Sequence, residues 1–322
     1  MNQLPSSVNR KVVVVGAGAV GATFGYALAQ SGVADEIVLV DQNADLARGQ
    51  ALDLAHGQPF FSTVSIRVGD AVDYADAQVI VITAGTAQRP GETRLDLLHR
   101  NAAIIRQIAE DITAQNSSAV VLVTTNPVDV LTYVAQQQLG ERRGCVIGSG
   151  TVLDSARFRY LLSRHCDVDV HNVHAYILGE HGDSELAAWS MTHVAGMPIK
   201  DYCPLCGRCD NWSAERDRLE QEVRNSAYHI IDYKGATCFG VGMALVRIVK
   251  AVLRNEHSVL TVSTRLDGEF NIRDVCLSVP CVVAAQGVCK IVEPKLTDEE
   301  RASLSSSAAT LREAIAQLDA TP

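Results

Sequence analysis

The first part of the chain alternates short apolar runs with amphipathic stretches. Residues 11–16, Lys-Val-Val-Val-Val-Gly, show no polar alternation, which is the pattern of a parallel strand buried on both faces. A helical stretch over residues 20–31 follows, with Gly32 placed to close it, and residues 36–41 form a second apolar run ending in Asp41. The rhythm predicts a helix over 44–56, a strand at 78–83, a helix over 94–115, a strand at 119–124, a helix from 128 and a short strand at 145–147. Strands that alternate with helices predict an α/β fold, a Rossmann-type doubly wound parallel sheet.

Past Gly148-Ser-Gly150 the pattern changes. A helix is expected over 154–164, β-rich stretches at 173–178, 259–263 and 276–283, and helices over 213–233 and 241–255. The last helix begins Thr297-x-x-Glu300, a capping box in which each side chain can satisfy the other residue's amide. The reading is a dinucleotide-binding domain over residues 10–150 and a mixed α+β substrate domain over 151–322, joined by a direct handover and not a flexible linker.

Composition adds exclusions. A net charge of −9 over 322 residues gives no reason to expect nucleic acid or an anionic membrane as a partner. The start of the chain lacks the apolar core of a signal peptide, and no apolar run approaches bilayer length, so cytoplasmic residence is the expectation. Nine cysteines, an odd number, read as reduced thiols. Cys203, Cys206 and Cys209 form a CxxCxxC cluster with no fourth ligand beside it in the sequence and a loop-like setting; no metal is expected.

Gly16-Ala-Gly18-Ala-Val-Gly21 lies between a predicted strand and a predicted helix. Gly16 permits the tight turn, Gly18 lets backbone approach a pyrophosphate, and Gly21 lets helix and strand pack closely. The helix start offers free N–H groups and the positive end of its dipole. Asp41, ending the next strand, is placed to take the adenosine ribose hydroxyls, and its charge would repel a 2′-phosphate. The cofactor expected is NAD.

Other chemistry-bearing residues are scattered. His181 sits between glycines after a strand-like run, which suggests a closely approached loop. Asp154 and Arg157 are three apart on one helix and share a face, as a surface ion pair also would. Arg94 follows a Pro-Gly loop, and Asn126 precedes Pro127, where a turn former is common. Periodicity does not assemble these residues into one site.

Together the blocks Gly16–Gly21, Thr83-Ala-Gly85, Gln88–Arg94, Thr125-Asn-Pro-Val-Asp129, residues 148–157, Gly179-Glu-His-Gly-Asp183 and Lys234-Gly-Ala-Thr237 resemble the L-lactate/malate dehydrogenase family, and within it the bacterial L-lactate dehydrogenase branch. The resemblance implies that His181 exchanges a proton with the substrate carbonyl, that Asp154 holds the imidazole and favours its charged form, and that Arg157 clamps the substrate carboxylate. It implies that Arg94, on a mobile loop, polarises the carbonyl, and that Asn126 hydrogen-bonds nearby. It also implies cofactor contacts from Val20, Thr83, Ala84, Gly85 and Asn126.

In this family substrate choice turns on one loop position, here the neutral Gln88, where malate enzymes carry Arg; Thr237 agrees with pyruvate and L-lactate as substrates. The neighbouring Arg89 would reverse the reading if the register were off by one. Arg159 and His174 match positions resembling a fructose 1,6-bisphosphate site, and Arg159, two residues past Arg157, faces away from the catalytic side of the helix. The resemblance further implies a homotetramer and a place at the end of fermentative glycolysis. Competing readings are a malate dehydrogenase and a catalytically silent NAD-binding protein of the same fold.

Overall fold

In the computed structural model of the chain, residues 9–87, 91–140, 143–209 and 211–320 are described. Strand β1 (Lys11–Val15) runs into helix α1 (Ala19–Ser31), which Gly32 ends in the left-handed conformation. There follow β2 (Glu36–Val40), α2 (Ala44–His56), β3 (Ser65–Val68), β4 (Val79–Ile82), α3 (Arg94–Ala114), β5 (Val120–Val123), α4 (Val128–Leu139) and β6 (Val146–Gly148). All neighbouring pairs in this set are parallel, in the order β6-β5-β4-β1-β2-β3. The order reverses between β1 and β4, and in such sheets ligands bind in the crevice at that reversal, beyond the carboxyl ends of the strands.

Helix α5 (Val152–Cys166) opens the second half and already carries Asp154 in its first turn. Short strands follow: β7 (Val173–His174), β8 (Ile177–Leu178), β9 (Leu186–Ala187), β10 (His193–Val194) and β11 (Met197–Pro198). Then come α6 (Ile199–Tyr202), α7 (Trp212–Lys234), α8 (Phe239–Leu253), β12 (Ser258–Asp267), β13 (Arg273–Ala284), β14 (Gly287–Ile291) and α9 (Asp298–Ala320). The expected capping box at the start of α9 is formed: Glu300 accepts from the Thr297 N–H at 2.8 Å, and Thr297 accepts from the Glu300 N–H at 3.2 Å.

The structure both departs from the sequence expectation and adds to it. The single stretch expected at 173–178 divides, because β7 pairs with β10 and β8 pairs with β9 in a different sheet. The sequence reading leaves open which sheet the β12–β14 hairpins join. They extend the parallel sheet antiparallel through one register pair, Ser263 with Gly148, giving nine continuous strands. A main core clads this sheet, and a smaller one gathers Phe158, Leu162, Cys166, Val173, Leu219 and Val223 around α5. No described helix is long and apolar enough to cross a membrane.

Candidate active site

The glycine turn sits at the reversal of strand order. Gly16 has φ +108°, which an L side chain rarely adopts, and a Cβ there would lie 2.6 Å from the Ala84 nitrogen. At Gly21 a Cβ would fall 1.9 Å from the Gly16 carbonyl oxygen, so only hydrogen allows α1 to seat against the turn. Nothing lies within 4 Å of the Cβ position of Gly18, and no side chain caps the helix it precedes. That opening, in front of unsatisfied helix N–H groups, fits a pyrophosphate.

Thr83 locks the turn from the next strand, its hydroxyl donating to the Gly16 carbonyl at 2.8 Å. Asp41 accepts from the Ala17 N–H at 2.7 Å and from the Asn43 N–H at 2.8 Å, which fixes its carboxylate beside the groove. Gly16, Gly18, Asp41, Thr83, Ala84 and Gly85 line a cavity of about 500 Å³ together with Tyr74 and Ile108, which sequence reasoning had not singled out. Val20 is not among its lining residues; it packs against the main core from the first turn of α1. The cradle fits a dinucleotide: glycines where backbone must come close, an acid at the ribose end and apolar walls between.

Past the carboxyl end of β5 the chain forms a second, smaller cavity of about 120 Å³. Asn126, Arg157, His181 and Thr237, drawn from four separate segments, all line it. The rest of its wall is largely apolar, with Leu153, Ala227, Ile231, Val241 and Ala244. Asn126 is held through its carbonyl, which accepts from the buried Asn101 side chain at 3.1 Å; Asn101 also accepts from the Thr86 N–H at 2.9 Å. One side chain thus ties the two cavities together.

Asp154 is the hub. Its Oδ2 accepts from His181 Nδ1 at 2.5 Å and its Oδ1 from Arg157 Nη1 at 2.7 Å. Burial pushes this carboxyl up, but the two cations outweigh it and hold it below its ordinary value. In return the Asp154 charge, against the cost of burial, raises His181 to about 9. With Nδ1 committed to Asp154, Nε2 remains for whatever enters the cavity.

Two buried carboxyls near the imidazole escaped sequence reasoning. Asp129 accepts the His181 backbone N–H at 2.7 Å, and burial pushes its carboxyl up to about 6. Glu185 is pushed up to about 8, first by burial and then by the Asp154 charge. Asp129 closes one of the recognised sequence blocks, so its position was available as a signal; Glu185 carried none.

The structure does not bring every expected residue to the cavity. Arg94 is the first residue of α3, exposed and outside the lining, with its charge near Tyr228, whose hydroxyl donates to Asp183 at 2.8 Å. Gln88, like its neighbour Arg89, lies outside the described residues. Arg159 points away from the cavity, as its helix position predicts: Nε donates to the Ala175 carbonyl at 2.9 Å and the guanidinium lies 5.1 Å from the Tyr176 ring centroid. His174 is exposed on β7.

A dinucleotide cradle beside a carboxylate-held imidazole marks a nicotinamide-dependent dehydrogenase. Comparison with known proteins makes the class specific. The lactate/malate dehydrogenase NAD binding domain matches residues 10–148, and the alpha/beta C-terminal domain of the same enzymes matches residues 151–321. The chain belongs to the lactate/malate dehydrogenase family, and NAD is its cofactor.

Among its relatives, the L-lactate dehydrogenase of Treponema denticola is 57% identical over 312 residues, covering 96% of this chain and 98% of that one. The L-lactate dehydrogenase of a Thermoanaerobacter species is 50% identical over 312 residues, covering 96% and 99%. The ligand-bound crystal structure of the minor L-lactate dehydrogenase of Enterococcus mundtii superposes with a TM-score of 0.93 at 42% identity, covering 98% of this chain and 99% of that one.

Proposed function

We propose that the chain is an L-lactate dehydrogenase, interconverting pyruvate and L-lactate. The observation that carries this reading is the His181–Asp154 contact of 2.5 Å in a small cavity shared with Arg157. His181, protonated up to about pH 9, gives its proton to the carbonyl oxygen as that oxygen gains charge, and takes it back in the reverse reaction. Asp154 orients the ring and supports its positive form. Arg157, steadied by the same carboxylate, grips the substrate carboxylate. Arg94 enters with a closing segment of roughly residues 86–98, polarises the carbonyl and helps to exclude water. Asn126 and Thr237 complete the wall. Bound NADH supplies the hydride.

A monocarboxylate is favoured because Arg157 is the one guanidinium in the described lining of the cavity, and the neutral Gln88 would offer a second carboxylate no cation. The division into an NAD domain over 10–150 and a substrate domain over 151–322 is part of the same reading.

The proposal extends to regulation and assembly. Arg159 shares a groove of about 310 Å³ with Arg247, Met243 and Val259. Burial lowers the Arg159 pKa and the like charge of Arg247 adds to this, a repulsion that a bisphosphate would relieve. Exposed Phe239, Met243 and Val259 suit contact with further copies, and the assembly proposed is a homotetramer in which such grooves meet, with fructose 1,6-bisphosphate bound through Arg159 and His174. The place proposed is the cytoplasm, at the end of fermentative glycolysis.

The test is NADH oxidation with pyruvate or oxaloacetate, each with and without fructose 1,6-bisphosphate. Pyruvate should be preferred, the bisphosphate should lower the pyruvate needed for half-saturation, and Gln88→Arg should turn preference towards oxaloacetate. A wild-type preference for oxaloacetate would sink the substrate assignment. An unchanged pyruvate curve and oligomer equilibrium would sink the effector.

A further inference from the structure

The cysteine cluster that the sequence left without a partner acquires one in three dimensions. The donor atoms of His165, Cys203 and Cys209 all lie within 4.8 Å of one another. His165 comes from the last turn of α5, and the two thiols come from the segment between α6 and α7. The separation in sequence, and not any weakness of the motif, is what hid the histidine.

Three details point to a tetrahedral thiophilic cation. First, His165 Nε2 and Cys203 Sγ are 3.7 Å apart, close to the edge of about 3.5 Å that zinc–sulfur and zinc–nitrogen bonds of about 2.3 and 2.0 Å span at a tetrahedral angle. Second, the other ring nitrogen of His165 is already occupied, with Nδ1 2.9 Å from Glu215 on α7. That carboxylate–histidine arrangement fixes the ring orientation of metal-binding histidines and leaves Nε2 as the ligand. Third, a fourth thiol is at hand. Cys206 stands three residues from both Cys203 and Cys209 and is partly exposed; its Sγ donates to the Cys203 carbonyl at 3.0 Å and would rotate from there to join the three donors. Cys166, the remaining nearby cysteine, belongs to the small apolar core around α5 and is the poorer candidate.

We propose that His165, Cys203, Cys206 and Cys209 bind one zinc ion in a closed, structural site. Binding releases the thiol protons to solvent and joins three elements: the end of α5, the cysteine segment and, through Glu215, the first turn of α7. The opposite end of α5 carries Asp154 and Arg157, so the ion would brace the helix that holds the hub of the acid–base cavity.

The full chain, purified under reducing conditions with Zn²⁺ supplied, should retain one zinc per chain by elemental analysis. With Co²⁺ in its place, it should show thiolate-to-cobalt charge-transfer absorption and the visible bands of tetrahedral cobalt. Cys209→Ser and His165→Asn should lose the ion, Cys166→Ser should keep it, and Glu215→Gln should weaken zinc affinity by about 10- to 100-fold. A chelator should lower the melting temperature of the wild type and leave that of Cys209→Ser unchanged. The cobalt spectrum of the wild type needs no variant to fold. The assignment is overturned by zinc well below one per chain, by cobalt bound without thiolate bands, by full retention of zinc in Cys209→Ser, or by a disulfide within the cluster in the reduced preparation.

Discussion

The dinucleotide turn and the acid–base cavity are built on different principles. The turn is local and made of backbone: Gly16, Gly18 and Gly21 act by what they lack, and a neighbouring threonine and an aspartate lock them in place. The cavity is non-local and made of charge: one helix supplies Asp154 and Arg157 as a pair three residues apart, and His181, 27 residues from Asp154, reaches that pair only when the whole fold is in place. Steric failure should therefore dominate in the first region and electrostatic failure in the second.

Removing the imidazole tests the cavity most severely. His181→Ala should lower turnover by about 10³-fold, the scale of a positioned acid–base group, while NADH still binds, as its fluorescence would report. Comparable turnover in the variant would separate the cavity from the chemistry.

Next in size is Asp154→Asn, which removes the charge and keeps the shape. In the wild type, kcat/KM for keto-acid reduction should hold steady below about pH 9 and fall as His181 loses its proton above it. Because the aspartate raises that pKa, its loss should move the alkaline limb towards the ordinary histidine value of about 6.5. The same sign governs stability. The ion pair contributes fully below the unfolded histidine pKa, and its contribution is lost as pH rises through the folded value of about 9. An alkaline limb that stays in place in the variant would break the comparison on the electrostatic side.

The smallest effect contrasts two glycines in the turn. Gly18→Ala has open space and an ordinary φ of −69°, so the melting temperature should hold while NADH affinity drops by about tenfold, roughly 1.4 kcal/mol. Gly21→Ala places its Cβ 1.9 Å from a carbonyl oxygen, so the fold itself should lose about 1–3 kcal/mol, read as a lower melting temperature without cofactor. Equal melting temperatures for the two variants would remove the distinction between a glycine that serves the ligand and one that serves packing.

Legibility in the sequence follows the same division. The strands that flank the turn were plain because a fully buried parallel strand has no polar alternation to blur it. Strand β3 was missed: Ser65-Ile-Arg-Val68 is a partly exposed edge strand with no apolar run. The split between β7 and β8 was hidden because apolar residues continue through Ala175 and Tyr176, and pairing partners, not propensity, divide the run. His181, Asp154 and Arg157 became recognisable through motif resemblance alone, since nothing in periodicity brings residue 154 to residue 181. His165 beside the cysteines had no local signal of any kind.

The register pair between Ser263 and Gly148 carries a mechanical consequence. Hydrogen bonds run without a break from β14 at one edge to β3 at the other, so the strands of both halves of the chain form a single plate. The two halves of that plate meet through this one pair, the shortest pairing in the sheet. Any hinging of the sheet would therefore concentrate at Ser263 and Gly148.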